Sequence, residues 1–480
     1  MNIAIIGSGS SAIISAKTFL ENGYKVYLFD SDDYNDNLFF KKKLRLFPNL
    51  NKSPKFENKI LINSIKKFKK RYNIKTKNFF LVSSLVSGGL TNFWGAGIEV
   101  PNKEYLKKYS FGSKILKEQN YIDHEIGINK KKFSFYNFFY KQKIIKRLLN
   151  DKSKSVRIKK LGLAVQQFNN SQIIKMKDYN NIDLLGNQDK SIYGGRKQLK
   201  KLIQNKNFFY FPNSFVKEIK KYKGNYKIKT DLKKNISNKF QFKKVIISAG
   251  TVGSTILVDR MLGLNSEYRL FHTPILKLMY FSFLAPFKIS NKIKFGLALL
   301  NLNIWIKKKK FSGSFMQLIN IKNSFFGIKN INFVFTLLKK FLFVGNLFLP
   351  SEYSETYIKI YKNRVNISSK INNDKDELIF GLNKKLKIFF NKFQLYAIPS
   401  QNLKYLDNGS DAHYTSTLYN KYLNGKKIIN EKCELQKFNN IFVLDGSSII
   451  EGLHYPNYFL MIYIRFISKK IISDDEKNKN

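Results

Sequence analysis

A chain of 480 residues, 43% of them hydrophobic, is long enough for about two or three domains, and this composition excludes a largely disordered protein. The formal net charge is +53, but lysines are spread along the chain without a nucleic-acid-binding motif, so we predict no specific nucleic-acid partner and only weak attraction to anionic surfaces. The single cysteine, Cys433, excludes an intrachain disulfide and a cysteine-based metal site.

The first thirty residues have the order of a βαβ unit. Residues 2–6 form an apolar, β-branched run typical of a buried strand, and residues 25–29 form a second run of this kind. Between them we predict a helix over residues 13–22 that Gly23 ends. Because this unit begins at residue 2, we expect no signal or transit peptide and predict a cytoplasmic protein.

A G-x-G-x-x-A motif follows the first of these strands. Gly7 permits a tight turn, Gly9 lets the backbone approach a pyrophosphate, and Ala12 lets the helix pack closely on the strand. Asp30 ends the second strand, where its carboxylate can accept hydrogen bonds from a ribose. The unit therefore predicts a dinucleotide site; the alternative is a βαβ unit that binds no nucleotide. The predicted contacts are Gly7, Gly9, Ser10, Ser11, Ala12 and Asp30.

The following segments vary in composition. Residues 31–80 are rich in lysine and asparagine and predict a long excursion that contains one helix, at 58–70. Residues 81–97 are glycine-rich and short of lysine, which indicates a constraint other than general composition. Residues 101–190 are basic and predict mostly helical structure.

The second half of the chain returns to buried strands. A predicted helix at 197–204 is followed by strands at 208–211, 215–220, 226–230 and 243–248. Residues 266–395 alternate aromatic, strand-like runs with lysine-rich helical ones, which predicts a separate sheet-based domain. The last predicted elements are a strand at 441–444, a helix after Asn457 to about residue 470, and a polar tail at 471–480.

Two apolar segments lie at 275–287 and 331–350. No stretch of the chain reaches about 18 uninterrupted apolar residues, so we predict no membrane-spanning helix. Each segment fits either a buried sheet face or core helix, or a patch that associates peripherally with a membrane surface through apolar side chains and lysines.

Four pieces stand in a fixed order: the motif at 7–12, the loop at 88–97, the turn at 249–254 and the segment at 445–457. In this arrangement the chain resembles the glucose–methanol–choline (GMC) family of flavin-dependent oxidoreductases, nearest to its sugar- and polyol-oxidising branches. The resemblance implies an α/β fold. A Rossmann-like FAD-binding domain is assembled from discontinuous segments, and an α+β substrate domain contains an antiparallel sheet.

The resemblance also divides the chain into parts. It implies an FAD-binding domain at 1–110 and 195–265 with a C-terminal part at 396–470, a helical insert with part of the substrate region at 111–194, a substrate domain at 266–395 and a polar tail at 471–480.

FAD is the implied cofactor. Some branches of the family carry a flavin-linked histidine where this chain has Phe93, so the expected FAD is noncovalent. The chain departs from the family signatures at Thr255, which replaces a proline, and at residues 271–274, which match the "DHP" stretch only in part. Further cofactor contacts are implied by the glycine-rich loop, the adenine-contacting strand, the turn and the last segment: Gly89, Thr91, Asn92, Val216, Ala249, Gly250, Asp445 and Gly446.

The resemblance places two active-site positions near the C-terminus. His413 begins an H-x-x-S-T stretch, and an imidazole can accept a hydroxyl proton near neutral pH. Asn457 can hydrogen-bond the same oxygen at the predicted start of the last helix, whose positive end favours negative charge on a reduced flavin. A shift of the alignment makes His454 the second position instead. We expect structural roles for His124 and His272, and either cavity-lining or packing roles for Trp94 and Tyr455.

We therefore predict an enzyme that oxidises a CH–OH group of an alcohol, polyol or sugar derivative by hydride transfer to FAD. The substrate itself and the electron acceptor (oxygen, a quinone or a protein) stay open, and a lipid- or glycan-linked substrate is a variant suggested by the basic composition. The alternatives are a flavin reductase or isomerase on the same scaffold, and a degenerate basic binding protein. The sequence contains neither a metal-ligand motif nor a G-x-S-x-G elbow.

Overall fold

The structure is a computed structural model, which describes residues 1–32, 59–128, 143–165, 182–183, 192–231, 240–284, 295–296, 298, 300–307, 309–317, 338, 341–370, 375–399 and 402–477. The excursion predicted after residue 32, the first residue of its predicted helix, and most of the apolar residues at 331–340 lie outside the described residues.

A five-stranded parallel sheet forms the first half of the fold. Its strands come from distant parts of the chain and lie in the spatial order Ile441–Val443, Lys244–Ile247, Asn2–Ile6, Lys25–Phe29 and Phe208–Phe211. Ile5, Val26 and Ile246 are fully buried, as expected for strands covered on both faces. This sheet confirms the predicted Rossmann-like domain built from discontinuous segments.

Two helices cover one face of this sheet. Ser10–Glu21 follows the first strand and packs against the last helix, Pro456–Lys477. Arg465 of the last helix is buried and donates hydrogen bonds to Glu118 and Glu21. Because a buried cation needs a partner, this pairing fixes how the two helices meet.

A seven-stranded antiparallel sheet forms the second half, as predicted. The helix Lys375–Asn391 packs on one face of it, with Leu382, Leu386 and Phe390 buried. The strands lie in the order Tyr396–Ala397, Ile275–Phe281, Leu342–Phe348, Lys309–Gln317, Leu300–Ile306 and Val156–Lys160, and Lys404–Tyr405 also pairs with Ile275–Phe281.

The described parts of the two apolar segments, Ile275–Phe281 and Leu342–Phe348, are neighbouring strands of this antiparallel sheet. Leu276, Leu278 and Phe343 are fully buried. Burial in a sheet therefore accounts for the apolar character of these strands. Within the described residues, no helix is both long enough and apolar enough to cross a membrane.

The remaining elements are short. A four-stranded sheet contains Glu267–Arg269, Glu355–Ile360, Val365–Lys370 and Ile74–Lys77. The strand pairs are Val216–Tyr222 with Asn225–Thr230, Phe295–Gly296 with Ile182–Asp183, Tyr422–Leu423 with Lys426–Lys427, and Gly97–Ile98 with Gly162–Leu163. The other described α-helices are Lys59–Tyr72, Lys103–Lys107, Gln119–Glu125, Lys143–Asn150, Gly195–Ile203 and Thr251–Leu262. The 3₁₀ helices are Gly89–Asn92, Gly112–Glu118, Ser351–Tyr353 and Gly446–Ser448.

Two sequence predictions are wrong in detail. Within the described part of residues 101–190, Val156–Lys160 is not helical but forms an edge strand of the antiparallel sheet, with Val156 and Ile158 buried. The polar tail is not separate, because the last helix continues to Lys477. Ile471 and Ile472 are buried there, and Asp475 accepts a hydrogen bond from Tyr24, so the tail is held against the parallel-sheet domain.

Candidate active site

A cavity begins at the carboxyl ends of the parallel strands, where α/β folds bind their ligands. Its wall also includes Ala412, Tyr414 and Thr415, which flank His413. The cavity therefore joins the dinucleotide motif to the loop that carries the predicted base. The sequence-predicted residues in its wall are Gly7, Gly9, Ser10, Ser11, Asp30, Gly89, Thr91, Val216, Ala249, Gly250, Asp445, Gly446 and Asn457.

The first two glycines of the motif have different surroundings. Gly7 has a φ of +102°, and a Cβ there would lie 2.3 Å from the carbonyl oxygen of Ser248, so no larger residue fits without a shift of backbone. At Gly9 a Cβ would meet no atom of the described residues within 4 Å, so the backbone faces open space. Gly7 therefore serves the turn, and Gly9 provides room for a ligand.

Two helices begin at the cavity. Gly9 precedes Ser10–Glu21 and Gly250 precedes Thr251–Leu262, and neither helix has a side-chain cap at this end among the described residues. The first N–H groups of a helix lack intrahelical partners and its N-terminus carries partial positive charge. These two ends and the open space beside Gly9 fit the pyrophosphate of a dinucleotide.

Asp30 lies in the wall at the end of its strand and is buried. Its carboxylate accepts hydrogen bonds from Tyr210 Oη at 3.0 Å and from the backbone N–H of Ser31 at 2.9 Å. Burial raises its pKa to about 6, although hydrogen bonds from Ser8, Ser87 and Tyr210 act in the opposite direction. A carboxylate at this position fits the hydroxyls of an adenosine ribose.

Ala12 and Asn92 are the two predicted cofactor residues that the structure places behind the wall. Ala12 is fully buried in the packing of the first helix, which agrees with the small-residue role given to it. Asn92 Nδ2 donates to the carbonyl oxygens of Ser87 and Gly89, at 2.9 and 3.0 Å. Asn92 therefore shapes the glycine-rich loop rather than facing the cavity.

Within the glycine-rich loop, Phe93 is buried in the apolar core next to the cavity. Trp94 is also buried, and its indole N–H donates to the carbonyl oxygen of Tyr193 at 2.8 Å. Of the two roles predicted for Trp94, packing fits this arrangement, because Trp94 does not contribute to the described cavity wall.

His413 is half-buried on a loop whose backbone is constrained on both sides. Ala412 and Ser416 have φ values of +60° and +69°, a region that non-glycine residues seldom adopt. Thr251 Oγ1 donates to the carbonyl oxygen of Tyr414 at 2.6 Å, and the N–H of Ser416 donates to the carbonyl oxygen of Gly446 at 2.9 Å. These contacts hold the strained loop against the cavity.

Thr255 also contacts this loop. Its Oγ1 lies 2.6 Å from Thr417 Oγ1, and it donates to the carbonyl oxygen of Thr251. Thr255 stands where the GMC signature has a proline, whose side chain cannot form a hydrogen bond. The threonine hydroxyl instead links the helix to the His413 loop.

An aromatic side chain joins the two candidate histidines. The Phe348 ring lies 5.2 Å from the His413 ring and 5.9 Å from the His454 ring, centroid to centroid, and it also contacts Tyr455 at 5.6 Å. Burial, with smaller effects from Lys310 and His413, lowers the pKa of His454 to about 3. His454 is therefore neutral near pH 7 and can act as a hydrogen-bonding group but not as a base that titrates there.

The two alternatives for the second active-site position lie in different surroundings. Asn457 lies in the cavity wall, next to Pro456 at the start of the last helix. His454 stacks on Phe348 instead. The geometry thus places Asn457 nearer the cavity, with His454 in the adjoining aromatic cluster.

Sequence reasoning missed the polar group behind His413. Asp411 accepts hydrogen bonds from His272 Nδ1 at 3.0 Å and from the backbone N–H groups of Thr273 and His413, at 2.9 and 3.1 Å. Burial alone would raise the pKa of Asp411, but the His272 imidazole and its hydrogen bond, together with His413, lower it to about 2. The D-x-H spacing at 411–413 and the partial "DHP" match were the available signals.

No protein-family model matches the sequence, and no curated protein matches it either. The fold does match a solved structure, that of pyridoxine 4-oxidase from Mesorbium loti. The two chains share 10% sequence identity with a TM-score of 0.62, and the match covers 98% of each. At this identity the likeness establishes the fold: a parallel-sheet domain with a separate antiparallel sheet, as the resemblance to GMC oxidoreductases implied.

Proposed function

We propose that this chain is an FAD-dependent oxidoreductase that oxidises a CH–OH group of an alcohol, polyol or sugar derivative. The supporting observation is the cavity that joins the Gly7–Ala12 motif to the His413 loop and Asn457. The structural match to an enzyme named pyridoxine 4-oxidase adds support, because the match covers 98% of this chain and 98% of that enzyme's chain.

The proposed FAD would be held by groups at the start of the two uncapped helices, with Asp30 at the ribose and Val216 at the adenine end of the cavity. When bound, FAD supplies a ring that accepts a hydride equivalent. Phe93 stands where some GMC enzymes have a flavin-linked histidine, which supports a noncovalent cofactor.

In the proposed reaction, His413 takes the hydroxyl proton of the substrate through a ring nitrogen. The Asn457 amide donates a hydrogen bond to the same oxygen and orients it. The Phe348 ring packs against the His413 imidazole and limits its rotation, while neutral His454 borders the same aromatic cluster. The chain therefore contributes a base, an oxygen-orienting amide and an apolar wall.

The test begins with an absorption spectrum of the purified protein before and after acid precipitation. We expect a two-band flavin spectrum whose chromophore stays in the supernatant. Anaerobic mixing with a panel of alcohols, polyols and sugar derivatives should then bleach the flavin, and an artificial quinone acceptor should restore it. The His413→Ala variant should bind FAD and fail to bleach.

Two results would contradict the proposal. A protein that stays colourless after reconstitution with FAD would support the degenerate binding protein, and internal rearrangement of an alcohol without flavin reduction would support an isomerase. Flavin that precipitates with the protein would contradict the noncovalent cofactor alone.

We also propose that the chain binds peripherally to an anionic lipid surface. The helix Lys375–Asn391 has an outer face on which Phe380 and Ile388 are 72% and 59% exposed, with exposed Lys384 and Lys387 between them. Apolar side chains flanked by lysines suit the boundary of an anionic bilayer. The net charge of +53 also favours attraction to an anionic surface.

This proposal predicts co-sedimentation with vesicles that contain about one third anionic lipid, and little with neutral vesicles. The double variant Phe380→Ser, Ile388→Ser should lose most of this binding while it keeps its flavin. A protein that stays in the supernatant with both vesicle types at low salt would overturn the surface proposal and leave the oxidoreductase proposal intact.

A further inference from the structure

We propose that Thr273 and Asp411 are positioning residues that hold His413 in the tautomer with its hydrogen on Nδ1. This inference rests on the proposed function, because it concerns the group assigned there as the base. Neither residue had a predicted role in the sequence analysis.

Asp411 is nearly fully buried, and its carboxylate accepts hydrogen bonds from four donors. These are the ring nitrogen of His272, the N–H groups of Thr273 and His413, and the Thr273 hydroxyl at 3.3 Å. Such a set of donors stabilises the ionised carboxylate, which can only accept hydrogen bonds.

The Thr273 hydroxyl contacts two groups but has one hydrogen. Its Oγ1 lies 3.3 Å from Asp411 Oδ2 and 3.1 Å from His413 Nδ1. Because the carboxylate can only accept, the hydroxyl hydrogen points to Asp411, and a lone pair of Oγ1 faces the imidazole. His413 Nδ1 must then be the donor in its contact with Thr273.

This tautomer has consequences for proton transfer. With the hydrogen on Nδ1, the neutral imidazole carries its lone pair on Nε2, which is therefore the atom that accepts the substrate proton. In that step the alcohol O–H bond breaks and an Nε2–H bond forms, so that the ring becomes an imidazolium. The charge of Asp411, one hydroxyl away, stabilises this cation.

The tautomer can be measured without turnover. Long-range ¹H–¹⁵N spectra of ¹⁵N-histidine-labelled protein, as purified and near pH 8, distinguish a protonated from an unprotonated ring nitrogen. Only four histidines are present, and His413→Gln identifies the signals of His413. We expect Nδ1–H in the wild type and in Thr273→Ser, which keeps the hydroxyl. Thr273→Val should give the Nε2–H form or a mixture.

A matched control is Thr356→Val. Thr356 is a fully buried threonine whose hydroxyl lies 3.1 Å from His272 Nε2, so this variant removes a hydroxyl from the same cluster without touching His413. The His413 tautomer should stay Nδ1–H. A wild type in the Nε2–H form, or an unchanged tautomer in Thr273→Val, would overturn the inference.

Kinetics separate this inference from the function on which it rests. With an alcohol that reduces the flavin, Thr273→Val should lower the reduction rate constant by about tenfold or more while KM changes little, and Thr273→Ser should restore it. If the tautomer pattern holds but no alcohol reduces the flavin, the proposed function fails and the assignment of Thr273 and Asp411 stands. Equal rate constants for Thr273→Val and wild type would reject the positioning role.

Discussion

Two buried aspartates lie at the two ends of the proposed site, and their environments shift their pKa values in opposite directions. Burial raises the pKa of Asp30 to about 6, and its partners are hydroxyls and one backbone N–H. At Asp411 burial acts the same way, but the His272 imidazole and its hydrogen bond, together with His413 and the N–H of Thr273, outweigh it and lower the pKa to about 2. Equal burial thus gives opposite results because the partners of Asp411 include two imidazoles.

The difference indicates what each carboxylate is for. Asp411 is satisfied by the protein itself and stabilises the fold around His413. Asp30 lies in a cavity wall, where burial outweighs the hydrogen bonds that favour its charge. One end of the proposed site is therefore complete in the protein itself, and we expect a ligand hydroxyl to complete the other.

The largest expected effect comes from the complete end. His413→Ala removes the proposed base, and we expect the rate constant of flavin reduction by an alcohol to fall by about 10²- to 10⁴-fold. The FAD content should not change, because the residues proposed to hold FAD do not include His413. Stopped-flow absorbance under anaerobic conditions measures the rate constant.

The control for this variant is His124→Ala, since His124 is exposed on the helix Gln119–Glu125. It should reduce at the wild-type rate. If the His413→Ala protein keeps the wild-type rate, His413 is not the base. Asn457 and His454 are not expected to take its place near pH 7, because an amide does not accept a proton there and the pKa of His454 is lowered to about 3.

The two ends also differ in how much the sequence predicts. The cofactor end depends on a strand, a turn and a helix that are adjacent in the chain, so Gly7, Gly9 and Asp30 could be assigned from spacing alone. The predicted helix began at Ile13, whereas the structure begins it at Ser10, because an uncapped start after Gly9 leaves no cap residue to recognise.

The His413 end is assembled from residues far apart in the chain. Thr273 and Asp411 are 138 positions apart, and the Phe348 ring reaches the histidines from the antiparallel sheet. Periodicity cannot reveal such contacts, because they depend on tertiary packing. The resemblance supplied His413 and Asn457, while the group that orients His413 became visible only in the structure.

A second prediction compares the first two motif glycines. Gly7→Ala should destabilise the protein by more than about 3 kcal/mol, because its Cβ would lie 2.3 Å from Ser248 O at a φ of +102°. Gly9→Ala should cost about 1 kcal/mol or less, because its Cβ enters open space, but should weaken FAD binding at least tenfold. Urea unfolding and flavin titration measure the two quantities.

The opposite combination would contradict the roles given to the two glycines. If Gly9→Ala unfolds the protein, or if it binds FAD like wild type, the open space beside Gly9 is not the pyrophosphate position. Gly23→Ala provides a reference for a positive φ without a clash, since its φ is +76° and a Cβ there has open space among the described residues.

The third prediction uses the opposite pKa shifts. Asp30 has a folded pKa of about 6 against 3.8, so its stabilising contribution exists below pH 4 and is lost as pH rises through 6, by up to about 3 kcal/mol. Asp411 has a folded pKa of about 2, so its contribution of about 2 kcal/mol exists above pH 4 and is lost as pH falls through 2.

Unfolding free energies of the FAD-free protein at pH 4, 5.5 and 7 test this assignment. Neutral His454, whose pKa is lowered to about 3, makes stability rise over the same range, so the informative quantity is the difference between each variant and wild type. The stability of Asp30→Asn relative to wild type should rise between pH 4 and 7, whereas that of Asp411→Asn should stay lower by a nearly constant amount. The same pH dependence in Asp30→Asn and wild type would show that the pKa of Asp30 is not raised.

The smallest effect concerns the backbone next to His413. Ala412 has a φ of +60°, which costs a non-glycine residue about 1–2 kcal/mol, whereas the extra flexibility of glycine costs about 0.5–1 kcal/mol. Ala412→Gly should therefore raise the unfolding free energy by about 0.5–1 kcal/mol. Ala16→Gly, in the interior of the first helix, should lower it by about 1 kcal/mol and serves as the control of opposite sign. Calorimetry can measure the stability of both variants. Destabilisation by Ala412→Gly would mean that the packing of the alanine methyl group contributes more to stability than the relief of its backbone strain.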